Sequence, residues 1–211
     1  ERLKVLHEMY DSKRTVYTSI EFYDIAGLVK GASKGEGLGN KFLGHIREVA
    51  AIAHVVRCFD DPNVVHVDGK IDPLSDIDII NTELILSDME VLERRLQKTQ
   101  KNLKGDKTLQ AELDLLLKIK ETIEKGLSAR TLDLTEEETE YVRSLDLLSF
   151  KPIIYAANVS EEDATSVEDN EYVKKVREFA ATEGSDVVVI CAKLESEIAE
   201  LEDDEKAVFL E

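Results

Sequence analysis

The sequence is poor in cysteine and has no long apolar run. Its 211 residues include two cysteines, Cys58 and Cys191, which lie far apart in strand-like apolar stretches and offer neither a disulfide framework nor zinc-ligand spacing. No apolar run approaches the roughly 20 residues that cross a bilayer, and the charged N-terminal start is unlike a signal peptide. We therefore expect buried thiols in a soluble, cytoplasmic chain that has no membrane partner.

Basic residues are also scarce, because 27 Lys and Arg stand against 45 Asp and Glu, for a formal net charge of -18. This balance argues against a surface that binds nucleic acid along its whole extent, since phosphate binding depends on clustered Lys and Arg. One local run of basic residues is an exception to this acidic balance. Its members are Arg94, Arg95, Lys98, Lys101, Lys104 and Lys107. The run predicts either an RNA-binding tip or an ordinary solvated helix face.

A third absence is the pattern Gly-x-x-x-x-Gly-Lys-Ser/Thr, the loop whose backbone cradles the α- and β-phosphates of a nucleotide. The nearest approach, at residues 35–41, has the wrong spacing. Nothing in the sequence is therefore expected to hold those two phosphates. We expect the 211 residues on their own to hydrolyse nucleotide negligibly.

What the sequence does contain is an acidic residue at the end of a predicted strand, followed by a glycine-dense loop and a helix. Residues 18–25 are rich in β-branched and aromatic residues and predict a buried strand with Asp24 at its carboxyl end. A carboxylate at that edge of an α/β sheet can hold the hydration shell of a phosphate-bound Mg²⁺. Gly27 has no Cβ, so its N–H can approach a terminal phosphate. The segment predicts a γ-phosphate sensor, with a simple turn as the alternative.

Residues 77–147 predict an inserted helical domain. Two apolar stripes with the spacing of a coiled-coil seam flank a turn signal at 104–107, so we expect two helices paired antiparallel. The first stripe consists of Ile85, Met89, Leu92, Leu96, Thr99 and Leu103, and the second of Leu109, Leu113, Leu116, Ile123 and Leu127. Thr135 and Glu138 have the spacing of a capping box and predict a further helix.

The sheet resumes after the insertion. The hydrophobic patterns predict a strand at 151–157, a helix at 170–182 and a strand at 186–191, followed by an acidic helix over 195–211. Polar segments follow both strands. They are Asn158-Val159-Ser160-Glu161 and Cys191-Ala192-Lys193.

Together these segments resemble one family, the Obg-like ATPases or YchF family of P-loop NTPases. Residues 24–42 carry the resemblance almost without interruption, and shorter motifs extend it over essentially the whole chain. Those motifs are Val55-Val56-Arg57-Cys58-Phe59, Val65-His66-Val67, Gly69-Lys70-Ile71-Asp72-Pro73, Asn158-Val159-Ser160-Glu161 and Glu195-Ser196-Glu197-Ile198. The resemblance implies a P-loop type α/β domain with a mostly parallel sheet, built from residues 1–76 and 148–211, and a helical arm at 77–147.

The resemblance carries further implications for function. It implies ATP or GTP as substrate, Mg²⁺ as cofactor, and contact of the helical arm with the ribosome or RNA. It also implies that the phosphate loop and the first switch precede residue 1 and that a β-rich TGS domain follows residue 211. The chain is then expected to be a fragment of a longer protein.

The base-binding residues depart from the guanine pattern of related switch GTPases, which is Asn-Lys-x-Asp. This chain has Asn158, Val159 and Glu161 at the corresponding places. The longer carboxylate weakens the paired contact with guanine, whereas Val159 offers adenine an apolar wall and backbone groups. The segment that stands where relatives place Ser-Ala-Lys, whose N–H groups contact the base, is Cys191-Ala192-Lys193. ATP is therefore the favoured nucleotide, with GTP as the alternative.

Hydrolysis requires a group other than the glutamine that switch GTPases place after the glycine at position 27. Leu28 cannot orient the attacking water. The histidines with suitable chemistry near neutral pH are His45, His54 and His66, of which His54 adjoins an apolar strand and is expected to be structural. The resemblance favours His66 as the catalytic residue, with a structural role as the alternative.

Two classes of function therefore stay open. The first is a slow ATP-hydrolysing switch that acts at the ribosome, in translation or stress regulation. The second is a non-catalytic module whose helical hairpin binds the ribosome, RNA or a protein. We expect a monomer in either case.

Overall fold

The structure is a computed structural model that describes residues 2–25, 39–61, 71–166 and 168–209. Its helices are α1 (Arg2–Met9), α2 (Gly39–Glu48), α3 (Pro73–Leu103), α4 (Gln110–Glu124), α5 (Glu136–Ser144), α6 (Glu161–Ala164), α7 (Glu171–Glu183), α8 (Ala192–Glu200) and α9 (Asp203–Phe209). The strands are β1 (Ile52–Arg57), β2 (Ile153–Asn158) and β3 (Asp186–Ile190). Short 3₁₀ turns lie at Lys107–Leu109, Ala129–Thr131 and Leu148–Phe150.

The three strands form one parallel sheet in the order β1-β2-β3. Ile153 at the start of β2 lies opposite Ile52 of β1, and Ile154 lies opposite Asp186 of β3. Parallel neighbours need a crossover connection, and here α3 to α5 connect the first pair while α6 and α7 connect the second. The expected α/β class with a parallel sheet is confirmed.

The sheet packs against α7 and the start of α3. Tyr155 and Ala157 of β2 are fully buried, as is Ile77 of α3, and they form one apolar cluster with Val173 and Val176 of α7. The side chain of Asn170 caps α7 by accepting a hydrogen bond from the N–H of Val173 at 2.9 Å. The helix ends at Gly184, whose φ of 66° suits glycine.

The insertion folds as the apolar stripes predict. The long helix α3 packs against α4, and most stripe residues lie in one buried cluster, which also takes in Ile119 and Val142. Thr99, Leu109 and Leu127 lie outside the cluster, and Leu127 is 51 % exposed because α4 ends at Glu124. The capping box is confirmed, since Thr135 Oγ1 accepts from the N–H of Glu138 and the Glu138 carboxylate accepts from the N–H of Thr135.

The strand expected at residues 18–25 is wrong, because residues 12–25 form neither helix nor strand. Large side chains in this segment are exposed, Ile20 by 78 % and Phe22 by 83 %. A strand needs a neighbouring strand to pair its backbone N–H and C=O groups, and this segment has none among the described residues. The single C-terminal helix expected over 195–211 is also wrong, because Leu201 is extended and separates α8 from α9.

A buried carboxylate ties the arm to the sheet. Asp88 of α3 is fully buried, and its two oxygens accept hydrogen bonds from the N–H groups of Leu148 and Ser149, each at 2.8 Å. Burial raises the pKa of the Asp88 carboxyl, while the hydrogen bonds from Ser149 and Leu148 oppose that rise. The Ser149 hydroxyl in turn accepts from the N–H of Ala129 at 3.2 Å. Asp88 therefore joins α3 to the turn that leads into β2.

Substitution of Asp88 by alanine should destabilise the fold by about 2 to 4 kcal/mol, because two buried N–H groups lose their acceptors. Urea unfolding of the variant would measure the loss. Asp78→Ala is the matched control, since Asp78 lies exposed on the same helix and its removal should cost less than about 0.5 kcal/mol. Equal losses in the two variants would contradict this role for Asp88.

Candidate functional site

The two polar segments that follow β2 and β3 meet at the carboxyl edge of the sheet. The N–H of Val159 donates to the carbonyl of Ile190 at 2.8 Å, and the N–H of Ala192 donates to Asn158 Oδ1 at 2.9 Å. The Asn158 side chain therefore holds the start of α8 against the end of β2. Ligands of open α/β sheets bind at this edge, beyond the carboxyl ends of the strands.

Glu161 and Lys193 form an ion pair across the same edge. Glu161 begins α6, whose first turn is capped by Ser160, and Lys193 lies in the first turn of α8. Both side chains are exposed, and the hydrogen bond and charge of Glu161 raise the pKa of Lys193 above its ordinary value. The two residues expected to contact a nucleotide base thus lie together, each bound to the other.

The side chain of Val159, which was expected to form an apolar wall for the base, is buried, and so is that of Cys191. Val159 is only 3 % exposed and Cys191 only 5 %, and both belong to the buried cluster under the sheet. The apolar wall expected from the Val159 side chain is therefore not on an open surface. Ala192 and Lys193 are exposed, so the open part of this edge consists of Lys193, Glu161 and backbone groups.

Asn170 fastens this edge to the end of β1, a role that sequence reasoning missed. Its Nδ2 donates to the carbonyl of Cys58 at 2.8 Å and to Asp163 Oδ2 at 2.9 Å, while its Oδ1 caps α7. The sequence signal of an N-cap asparagine was present, but a cap needs only the oxygen. The partners of the amide nitrogen are 112 and seven residues away, and no local pattern indicates them.

The two groups with strongly shifted pKa values near β1, Cys58 and His54, are both uncharged at neutral pH. Burial raises the pKa of the Cys58 thiol to about 12, so this cysteine stays protonated and is a poor nucleophile. Burial lowers the pKa of His54 to about 4, so its imidazole is neutral. His54 is the third residue of β1 and lies within the sheet, away from its carboxyl edge.

The phosphate-binding part of the expected site is only partly described. Gly27 and His66 lie outside the described residues. Asp24 is exposed on the irregular segment, and no hydrogen bond or ion pair among the described residues connects it with Asn158 or Lys193. Within that part of the chain, no three Asp, Glu, His or Cys side chains cluster as metal ligands.

The basic run on the arm contains exposed residues and one residue engaged within the arm. Of the exposed residues, Arg94 donates from its Nε to the carbonyl of Glu90 at 3.1 Å on the same helix. Arg94, Lys98 and Lys101 are exposed and follow one side of α3 at steps of four and three residues. Arg95 instead binds residues of α4 and α5. Its Nε donates to Glu112 Oε1 at 3.0 Å and to the Tyr141 hydroxyl at 3.2 Å. The Arg95 guanidinium, which was expected to contact nucleic acid, is thus already bound to other residues of the arm.

A separate finding concerns membranes. Among the helices in the described ranges, none combines the length and the hydropathy that spanning a bilayer requires.

Comparison with known proteins gives consistent relatives. The chain is 55 % identical to the ribosome-binding ATPase YchF of Bacillus subtilis over 212 residues, which cover all of this chain and 58 % of that protein. It is 52 % identical to the ribosome-binding ATPase YchF of Haemophilus influenzae over 211 residues, again all of this chain and 57 % of the relative. The chain therefore spans a little over half the length of the curated relatives it matches.

A solved structure supports the same relationship. The YchF GTPase of Schizosaccharomyces pombe superimposes with a TM-score of 0.80 at 35 % identity, over 98 % of this chain and 57 % of that one. No family model matches the sequence.

Proposed function

The chain belongs to the YchF family, and on that premise we propose that it supplies the base-binding part of a nucleotide-hydrolysing switch that acts at the ribosome. The observation that carries this proposal is the meeting of Asn158, Glu161, Ala192 and Lys193 at the carboxyl edge of a parallel sheet. That edge is where open α/β sheets bind nucleotides. Action at the ribosome would place the protein in the cytoplasm.

The proposed organisation is a nucleotide-binding domain of residues 1–76 and 148–211 with an inserted arm of residues 77–147. Separate buried clusters support it, one formed by the sheet with α7 and another formed by the paired helices of the arm. The helix α3 crosses the boundary without a break, so the arm projects from the sheet domain on a continuous helix.

We propose ATP as the preferred substrate. In support, the carboxylate in the guanine-reading position is the longer Glu161, and in this structure it binds Lys193. The Val159 side chain is buried, so only its backbone is available to the base. The names of the relatives include both ATPase and GTPase, and a GTP-preferring enzyme is therefore the second candidate.

A shorter carboxylate at position 161 tests the proposed preference for ATP over GTP. In a chain extended to the length of its relatives, Glu161→Asp should shift the ratio of GTP to ATP affinity toward GTP by about fivefold, the equivalent of about one hydrogen bond. Titration with fluorescent ATP and GTP analogues would measure both affinities. Glu162→Asp is the matched control, because Glu162 is the exposed neighbour of Glu161. A preference for GTP in the unsubstituted protein would refute ATP as the preferred nucleotide.

Slow hydrolysis is proposed to involve His66, since Leu28 cannot replace the glutamine of other switch proteins. Mg²⁺ is the expected companion of the nucleotide in this class of fold, with Asp24 as the residue that would hold its hydration shell.

In the extended chain, His66→Ala should lower kcat on the order of a hundredfold while leaving ATP affinity nearly unchanged, the pattern expected when a proton-transfer group is lost. Steady-state kinetics together with an ATP titration would separate the two quantities. His7→Ala in α1 is a comparable control. An unchanged kcat in His66→Ala would remove His66 from the mechanism.

We propose that the arm contacts ribosomal RNA or another polyanion through Arg94, Lys98 and Lys101. Two observations support this proposal. The three side chains are exposed on one side of α3, and the chain as a whole has a net charge of -18. A local cationic strip on an acidic protein restricts where a polyanion can bind.

Charge reversal on this strip should weaken ribosome binding. The double variant Arg94→Glu with Lys98→Glu should lower co-sedimentation of the extended chain with ribosomes by about tenfold at moderate salt, because phosphate contacts are replaced by repulsion. Lys174→Glu with Lys175→Glu makes the same charge change on exposed residues of α7 and is the control. If both double variants bind alike, the strip is only solvated surface.

A further inference from the structure

Three buried polar atoms of the described residues have no hydrogen-bond partner: His54 Nδ1, Asn81 Oδ1 and Arg130 Nη2. They belong to three different elements, namely β1, α3 and the 3₁₀ turn that follows α4. A buried polar atom without a partner loses its hydration and gains nothing in return. Native proteins contain few such atoms, and most buried polar groups are satisfied by protein or by bound water.

The three atoms belong to side chains that surround Tyr155, the central buried residue of β2. The Tyr155 hydroxyl donates to Glu183 Oε2 at 2.8 Å, and Arg130 Nη1 donates to the same oxygen at 3.2 Å. The Asn81 side chain acts on the same hydroxyl, because it opposes the rise that burial and Glu183 cause in the pKa of Tyr155. His54 lies opposite Tyr155 in the sheet register, with ring centroids 5.6 Å apart. Each of the three side chains therefore lies beside Tyr155.

The chemistry of these atoms suits a neutral ligand that can both donate and accept. Arg130 Nη2 can only donate and Asn81 Oδ1 can only accept, while the neutral His54 ring offers a donor or an acceptor at Nδ1 according to its tautomer. The charge of Arg130 is already balanced by Glu183, and their side chains are only 7 % and 6 % exposed. An additional anion or cation would therefore be uncompensated, whereas water matches all three atoms.

The surroundings also provide a route for water. A groove of about 650 Å³ opens at the amino ends of β2 and β3, and Arg130, Glu183 and Ile153 lie along it. The other charged group that acts on His54 is Asp76 of α3. The three atoms supply the two to four polar partners that an internal water requires, and Arg130 connects the cluster with the groove.

We propose that ordered water binds inside this cluster and bridges His54, Asn81 and Arg130. The site lies where the arm meets the sheet, because Asn81 is near the start of the insertion and Arg130 follows its second long helix, while His54 and Tyr155 are sheet residues. Water is then part of the contact that seats the arm on the nucleotide-binding domain. The bound water does not depend on the proposed function.

A crystal structure of the protein at about 1.8 Å or better tests the proposal directly. We expect ordered water within roughly 2.7 to 3.2 Å of at least two of the three unpartnered atoms. The proposal is overturned if the cluster holds no water or if the three atoms bind other protein groups.

A stability measurement gives an independent test. In a dry cluster, Asn81→Leu would remove an unsatisfied oxygen and keep a similar volume, so the melting temperature should hold or rise. In a hydrated cluster, Asn81→Leu removes an acceptor from the bound water. We then expect the melting temperature to fall by several degrees, because a buried hydrogen-bond network loses one of its groups.

Asn102→Leu is the matched control, since Asn102 is exposed near the far end of the same helix and should change the melting temperature little. A melting temperature that rises in Asn81→Leu relative to this control would overturn the proposal. If Asn81→Leu does not fold, the crystal structure of the unsubstituted protein decides the question.

Discussion

The parallel pairing of β2 with both of its neighbours is the constraint on which the rest of the structure depends. Parallel strands begin at one edge of the sheet and end at the other, so their polar ends gather without any local sequence signal. Asn158 and Ala192 meet at the carboxyl edge for this reason, and Ile153 and Asp186 start together at the amino edge. The proposed nucleotide site and the return of the arm into β2 therefore lie at opposite edges of one small sheet.

Most helices could be predicted because their signals are local. The capping box at Thr135 and Glu138 and the glycine after α7 act within a few residues of the positions they specify. The pairing of α3 with α4 was also predictable, since a short turn brings two apolar stripes together. The strand expected at 18–25 was not formed. Its side-chain pattern is typical of a strand, but a strand also requires a neighbour that pairs with its backbone N–H and C=O groups.

The candidate site was predictable in position but not in detail. The polar residues after β2 and β3 were identified, whereas the direction of the Val159 side chain depended on which face of the sheet α7 covers. Asn170, Asp88 and the pair of Arg130 with Glu183 were missed for a different reason. Their important partners lie between 53 and 112 residues away in sequence, and periodicity carries no information at that range.

The helix α7 connects the two edges of the sheet, so the contacts at both edges depend on the number of residues in this helix. Asn170 at its start binds the carbonyl of Cys58 and the carboxylate of Asp163, and Glu183 at its end binds Arg130 and Tyr155. Each residue added to an α-helix rotates the remainder of that helix by about 100° and moves it by about 1.5 Å. Insertion or deletion of one residue within α7 would therefore turn Glu183 away from both partners while Asn170 stayed in place. Evolution can exchange the exposed side chains of this helix freely, but it can change the number of its residues only by rebuilding one end.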